Sequence, residues 1–168
     1  MKEIQLTKGY VTIVDDDIYD WVNGMRWHAL TTPSGKVYAS GAAKHLGNGK
    51  EVSLHRVVLA THTYKTMDVD HINGDTLDNR KCNLRLATRS QNLSNQKKKD
   101  GTKFQYKGVV YRKDRDRYMA HLTKDGKRYT SKKFKTIEEA ALAYNTLAIK
   151  HQGEFAYINK IEPTPSPL

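Results

Sequence analysis

The sequence predicts an α+β protein of two units: a small strand–loop–strand–helix motif, then a three-stranded antiparallel sheet packed on one helix. Three observations carry that prediction. Two short apolar runs, Asp68–Ile72 and Leu84–Ala87, flank a polar loop and lead into a helix start. Beyond residue 104, three β-rich runs precede one amphipathic helix. Charge also divides the chain. Of 29 Lys and Arg and 18 Asp and Glu, 15 and 4 lie between Lys97 and Lys135, which leaves 14 of each elsewhere. The whole net charge of +11 therefore sits in one segment, as on a nucleic-acid-binding surface.

Composition bounds the rest. A chain of 168 residues holds one domain or two small ones. Cys82 is the single cysteine, so there is no internal disulfide framework and no C-x-x-C pair for zinc. One cysteine also fits a reducing compartment. The start, Met1-Lys2-Glu3-Ile4, has no apolar core of a signal peptide, and no apolar run approaches a membrane span. The expectation is a cytoplasmic, intracellular protein with no membrane partner.

Residues 1–50 read as short strands and turns around one helix. Tyr10–Val14 is β-rich, and Asp15-Asp16-Asp17 suit the positive end of a helix dipole. Ile18, Trp21 and Val22 follow at helical spacing, with Gly24 as a stop. Trp27, His28 and Leu30 resume as a strand, and Pro33-Ser34-Gly35 turns the chain into Lys36–Ser40. His28 and His45 are lone histidines, read as structural. Lys44 and Lys50 flank a flexible tip at Gly47-Asn48-Gly49, a weak signal for phosphate contact. Ser53 is expected to cap a helix over Leu54–Ala60, with His62 on the same helix.

The motif itself has more to say. Asn73-Gly74 ends the first strand, since both tolerate the positive φ of a tight turn. The loop runs through Asp78-Asn79-Arg80 to the second strand. Thr88 and Gln91 then form a T-x-x-Q capping box. Asp70 and His71 stand at the end of one strand and Asn92 in the first turns of the helix, so an acid, an imidazole and an amide oxygen converge. Histidine accepts a proton near neutral pH. Asp70 and the Asn92 carbonyl are hard oxygen ligands, suited to a hydrated Mg²⁺ with room for phosphate oxygens. An EF-hand is excluded, because Ile72 and Asn73 stand where a Ca²⁺ loop needs an oxygen ligand and a glycine.

This run, DVDHINGDTLDNRKCNLRLATRSQNLSN, resembles the HNH endonucleases of the ββα-metal fold, in particular the phage and intron-encoded homing type. The resemblance implies that His71 is the general base that activates water. It implies that Asp70 and Asn92 hold the divalent ion (Mg²⁺, with Mn²⁺ as substitute) and that Asn83 orients the imidazole of His71. His55-Arg56 is a recurring pair of the same subfamily. Arg56 reads as a bidentate ligand of the scissile phosphate and His55 as a structural hydrogen-bonder or a participant in the site. The Trp-rich opening is also similar to the leader of phage proteins of this family.

After Lys97–Lys103, a basic linker, the pattern changes. Gly108–Arg112, Arg117–Thr123 and Lys127–Thr130 are three strands, joined by turns at Asp114-Arg115-Asp116 and Lys124-Asp125-Gly126. Thr136-Ile137-Glu138-Glu139 is a T-x-x-E capping box. Ile137, Ala140, Ala141, Tyr144, Leu147 and Ala148 share one helical face, and Gly153 ends the helix. By alternation Met119, His121 and Thr123 face outward, with Tyr118, Ala120 and Leu122 inward.

Residues 104–159 resemble the DNA-binding domain of the Apetala and ethylene-response-factor type. The resemblance rests on Tyr106-Lys107-Gly108-Val109, Phe134, Thr136, Glu138–Ala141, Ala143-Tyr144-Asn145 and Asn159. It implies a sheet laid in the major groove of double-stranded DNA. Lys107 and Arg112 match basic contact positions of that family. Lys113, Arg115, Arg117, His121, Lys127 and Arg128 complete the basic candidates. Val110, His121 and Thr123 depart from residues common in plant members, so base preference does not carry over.

The organisation expected is a nuclease domain over 1–96 with its core motif at 53–96, a linker over 97–103, a DNA reader over 104–159 and a disordered tail over 160–168. The activity expected is metal-dependent cleavage of DNA, one strand per active site, by a monomer or homodimer. Two rivals remain. One is a DNA-binding regulator with an inactive motif, and the other is a nuclease associated with phage packaging.

Overall fold

The structure is a computed structural model describing residues 1–42, 50–61, 66–98 and 104–161. The expectations for Lys44, His45, Gly47–Gly49, His62, most of the basic linker and the tail from residue 162 fall outside those residues. The chain forms two compact units, Met1–Asn92 and Leu93–Leu168. The fold is mixed α+β, built among the described residues from several small antiparallel sheets and four α-helices.

In the first unit, β1 (Lys2–Gln5) pairs with β2 (Val11–Val14), Ile4 opposite Thr12. Helix α1 (Asp16–Asn23) starts on the acidic cluster and ends at Gly24, as the sequence predicts. A three-stranded sheet follows, β3 (Trp27–Thr31), β4 (Val37–Gly41) and β5 (Val52–Ser53), with β4 in the centre. Helix α2 (Leu54–Val58) is shorter than expected. Ser53 stands at its N-terminus without a side-chain capping bond, and Ala60 already has a positive φ of 53°.

The ribbon of β6 (Asp68–His71) and β7 (Leu84–Ala87) comes next, with His71 opposite Leu84 and Asp70 opposite Arg85. Helix α3 (Arg89–Asn95) follows. Its capping box forms as predicted: Gln91 N donates to Thr88 Oγ1 at 3.2 Å, and Thr88 N to Gln91 Oε1 at 2.7 Å.

One core runs through this unit from β1 to β7. Ile4, Val14, Val22, Trp27, Leu54, Val57 and Val69 belong to a single buried cluster, so the N-terminal strands and the β6–β7 ribbon share their hydrophobic stabilisation. Strand β2 also docks on the loop between β6 and β7. Ile13 N donates to Leu77 O at 3.0 Å, and Asn79 N to Ile13 O at 2.9 Å. Lys81 N donates to Asp15 Oδ2 at 2.6 Å, and its ammonium pairs with Asp17 at 2.6 Å.

The second unit has β8 (Val109–Arg112), β9 (Arg117–Lys124) and β10 (Lys127–Phe134) in antiparallel order, with β9 central. Asp125 and Gly126, at φ 50° and 74°, make the tight hairpin turn that Asp-Gly announces. Strand β10 runs four residues past the expected Thr130, through a bulge between Thr130 and Lys133. Helix α4 (Ile137–Gln152) carries its capping box at Thr136 and Glu139 and buries Ala140, Ala141, Tyr144 and Ala148 against the sheet. Asn159 closes the unit. Its side chain bonds both N and O of Lys107, and its backbone exchanges two bonds with Asn145.

Candidate active site

The β6–β7 ribbon positions the catalytic candidates. Asp70 and His71 are consecutive on β6, so they lean to opposite faces. His71 follows Val69 toward the core, and its ring packs edge-on against His55 with centroids 5.2 Å apart. Tyr38 of β4 closes the group, 5.7 Å from His55 and 6.2 Å from His71. Burial lowers the pKa of His71, against an opposing pull from the Asn79 hydrogen bond and from Asp70, Asp75 and Asp78. Burial likewise pushes His55 down to about 3, so it is a neutral packing partner at physiological pH.

His71 pairs with Asn79. Nε2 of His71 lies 3.1 Å from Asn79 Oδ1, and Asn79 Nδ2 lies 2.7 Å from Thr12 Oγ1. Asn83, expected to orient the imidazole, bonds within the loop. Its Oδ1 accepts from Asn73 N at 3.0 Å and its Nδ2 donates to Asp78 O at 2.8 Å. Asn83 therefore ties the loop between β6 and β7 together, while Asn79, within the loop, reaches the imidazole. Asp78 completes the loop, held by a two-pronged contact from Arg80 at 2.8 and 2.7 Å and by Asn73 Nδ2 at 3.0 Å. The Arg80 hydrogen bonds keep its carboxyl below the usual carboxylate range.

Asp68 and Asp70, two apart on β6, share the other face. Arg85 approaches Asp70 Oδ2 with Nε at 2.9 Å and Nη2 at 2.8 Å, which offsets the burial of that carboxylate. Asn92 donates Nδ2 to Asp68 Oδ2 at 3.1 Å. Its amide nitrogen is thus used on Asp68, so a cation could take only its Oδ1. Two hard oxygens fit an ion that takes the rest of its shell from water and phosphate. Among the described residues no trio of His, Cys, Asp or Glu forms a closed metal cage.

Sequence reasoning missed Asp68, Tyr38, Asn79 and Thr12. Asp68 also meets Arg89 at 3.4 Å and Arg56 at 4.0 Å. Arg56 Nη2 donates to Met67 O at 3.1 Å, so in this structure the guanidinium braces the entry to β6.

The basic candidates of the second unit separate by strand register. Arg112 faces Arg117 across β8 and β9, His121 faces Thr130, and Thr123 faces Arg128. Those residues share the sheet face opposite α4, where Arg112, Thr123 and Arg128 are exposed. Lys133, opposite Met119, joins them because the bulge shifts its parity. Met119 lies in the same row but is buried between its neighbours Val110 and Lys133. Burial first, then Arg128 and Arg112, lower the pKa of His121.

Lys113 and Arg115 lie in the exposed turn after β8, where Arg115 meets Asp114 at 3.5 Å. Two candidates are not on that face. Lys107 donates Nζ to the carbonyls of Ser94 and Gln96, both at 2.7 Å, and burial lowers its pKa to about 8. Lys127 shares the inward row with Tyr129, which stacks on His151 of α4 at 3.7 Å. Among the described residues no helix is long and apolar enough to cross a membrane.

Comparison with known proteins agrees with this geometry. Residues 52–94 match the family described as HNH endonuclease, and residues 104–153 match the AP2 domain. An uncharacterized HNH endonuclease of Acanthamoeba polyphaga mimivirus is 34% identical over 160 residues, covering 92% of this chain and 78% of that one. "Protein 3.8" of Escherichia phage T7 is 32% identical over 88 residues, 52% of this chain and 72% of that one. No solved structure matches. With a relative aligned along most of both chains and the family's motif folded around His71, this chain belongs to the HNH endonucleases, joined here to a C-terminal AP2-type DNA-binding domain.

Proposed function

We propose that the protein is a homing-type, Mg²⁺-dependent nuclease that nicks one strand of double-stranded DNA per active site. In this reading residues 1–96 cut and residues 104–159 choose the target. The observation that supports it best is the pairing of His71 with Asn79, one residue along from Asp70 and with Asn92 over the Asp70 face.

His71 takes the proton of the attacking water, and the water oxygen adds in line to phosphorus. Asn79 holds the ring, while His55 and Tyr38 shield its flank. Asp70 and Asn92 would hold a divalent ion, which when bound would supply positive charge to offset that on the phosphate and the departing 3′ oxygen. The products carry 5′-phosphate and 3′-hydroxyl ends. The sheet face with Arg112, Arg117, Arg128 and Lys133 holds the duplex by its phosphates. Tethering that reader to the motif raises the motif's effective concentration at one site.

Relaxation of supercoiled plasmid by wild type and His71→Ala, with Mg²⁺, Mn²⁺ or EDTA, tests the reading. The expected result is metal-dependent open circles from wild type and none from His71→Ala, with DNA binding in a gel shift retained by both. Linear product from wild type indicates a homodimer or paired nicks. Tight, salt-sensitive binding without cleavage on any DNA, including fragments of the source genome, would replace the nuclease by a DNA-binding regulator.

A further inference from the structure

We propose that Thr12, on the N-terminal strand β2, is a positioning residue for His71: acting through Asn79, it fixes which imidazole nitrogen carries the hydrogen and which receives the proton from water. The proposal rests on the reading of His71 as base.

The hydrogen bonds have only one consistent direction. Thr12 Oγ1 lies 2.7 Å from Leu77 O, and a carbonyl only accepts, so the hydroxyl hydrogen points there. On its other side Thr12 Oγ1 must then accept, and it meets Asn79 at 2.7 Å. The Asn79 amide therefore turns its Nδ2 to Thr12 and its Oδ1 to His71. At 3.1 Å from that oxygen, His71 Nε2 must be the N–H. The neutral ring is then the Nε2–H tautomer, with its lone pair on Nδ1.

Reversing Asn79 would set its oxygen against Thr12 Oγ1, whose one hydrogen already serves Leu77. Burial makes that costly, since Thr12, Asn79 and His71 are 0%, 1% and 5% exposed. Backbone bonds fix the spacing: Leu77 O also accepts from Ile13 N, and Ile13 O accepts from Asn79 N. Thr12 lies forty residues before the matched family segment begins. The N-terminal strand is thus part of the catalytic apparatus as well as of the core.

The test uses the full chain without metal. Long-range ¹H–¹⁵N correlation at pH 8, with His71 assigned by comparison with His71→Ala, reads the tautomer directly. The expected result is Nε2–H in wild type and a shift toward Nδ1–H in Thr12→Val, which keeps the shape and removes the hydroxyl. With Mg²⁺ and DNA, Thr12→Val is expected to lower kcat about tenfold at unchanged KM, and Thr12→Ser to recover most of that loss.

An Nδ1–H ring in wild type overturns the proposal. So does Thr12→Val with unaltered tautomer and kcat. If Thr12→Val does not fold, as judged by its thermal melt, the wild-type tautomer together with Thr12→Ser decides. A wild type that cuts no DNA, yet shows the Nε2–H ring and its shift in Thr12→Val, upholds the relay and removes the base assignment instead.

Discussion

Asn79 Oδ1 accepts from Nε2 of His71 at 3.1 Å, whereas both amide atoms of Asn83 are used on Asn73 and Asp78. The two asparagines stand four residues apart and do different work. Asn79→Ala leaves a buried imidazole N–H without its acceptor, at a cost of about 1–3 kcal/mol, and is expected to lower kcat by about 10²-fold. Asn83→Ala loosens the turn between Asn73 and Asp78, so its loss is expected mainly in the melting temperature. Parallel melts and single-turnover rates of the two variants check the division. Equal rate losses at equal stability would undo it.

That division also shows what the sequence could reveal. The T-x-x-Q and T-x-x-E boxes and the Asp-Gly hairpin are local signals, and each forms as read. Asn79 sits in Asp-Asn-Arg, a run that spells a solvated turn. Only contact with β2, 67 residues earlier, buries it and aims its amide. The inward turn of Lys107 and the added outward Lys133 were hidden for similar reasons. One depends on carbonyls of residues 94 and 96, the other on a bulge that breaks strict alternation.

His55 makes the first unit acid-sensitive. Its folded-state value of about 3 lies below the ordinary 6.5, so the folded state disfavours the charged ring. Stability is therefore fully present above pH 6.5 and is lost as pH falls toward 3, by up to about 1.4 kcal/mol per pH unit. Asp78, also lowered, adds loss in the same direction below its ordinary 3.8. Denaturant titrations at pH 8 and pH 5 are expected to show lower stability at pH 5, and His55→Phe is expected to reduce the difference. An undiminished pH dependence in His55→Phe would move its origin to other groups.

The register of the second unit ranks its basic residues. Arg112→Ala and Arg128→Ala remove exposed charge from the outward face, so each is expected to weaken DNA binding and reduce the salt slope by about 1. Lys127→Ala lies on the inward row and is expected to change the slope less. Fluorescence anisotropy across a salt series distinguishes these outcomes. A larger slope change for Lys127→Ala than for Arg128→Ala would contradict the assignment of faces.

Gly108 provides the sharpest packing test. Its φ is +71°, and a Cβ built there would meet Tyr144 Cδ2 at 2.1 Å, Tyr144 Cε2 at 2.2 Å and His121 O at 2.7 Å. Tyr144 is buried in the α4 face and His121 O belongs to the central strand, so neither can retreat without opening the sheet–helix core. Gly108→Ala combines left-handed backbone strain with overpacking, and about 2–5 kcal/mol of destabilisation is expected. Tyr144→Leu makes room for the added methyl but leaves the backbone strain. The double variant should therefore recover part, and not all, of the loss caused by Gly108→Ala measured relative to Tyr144→Leu alone. Full recovery would assign the cost to packing only, and no recovery would assign it to the backbone.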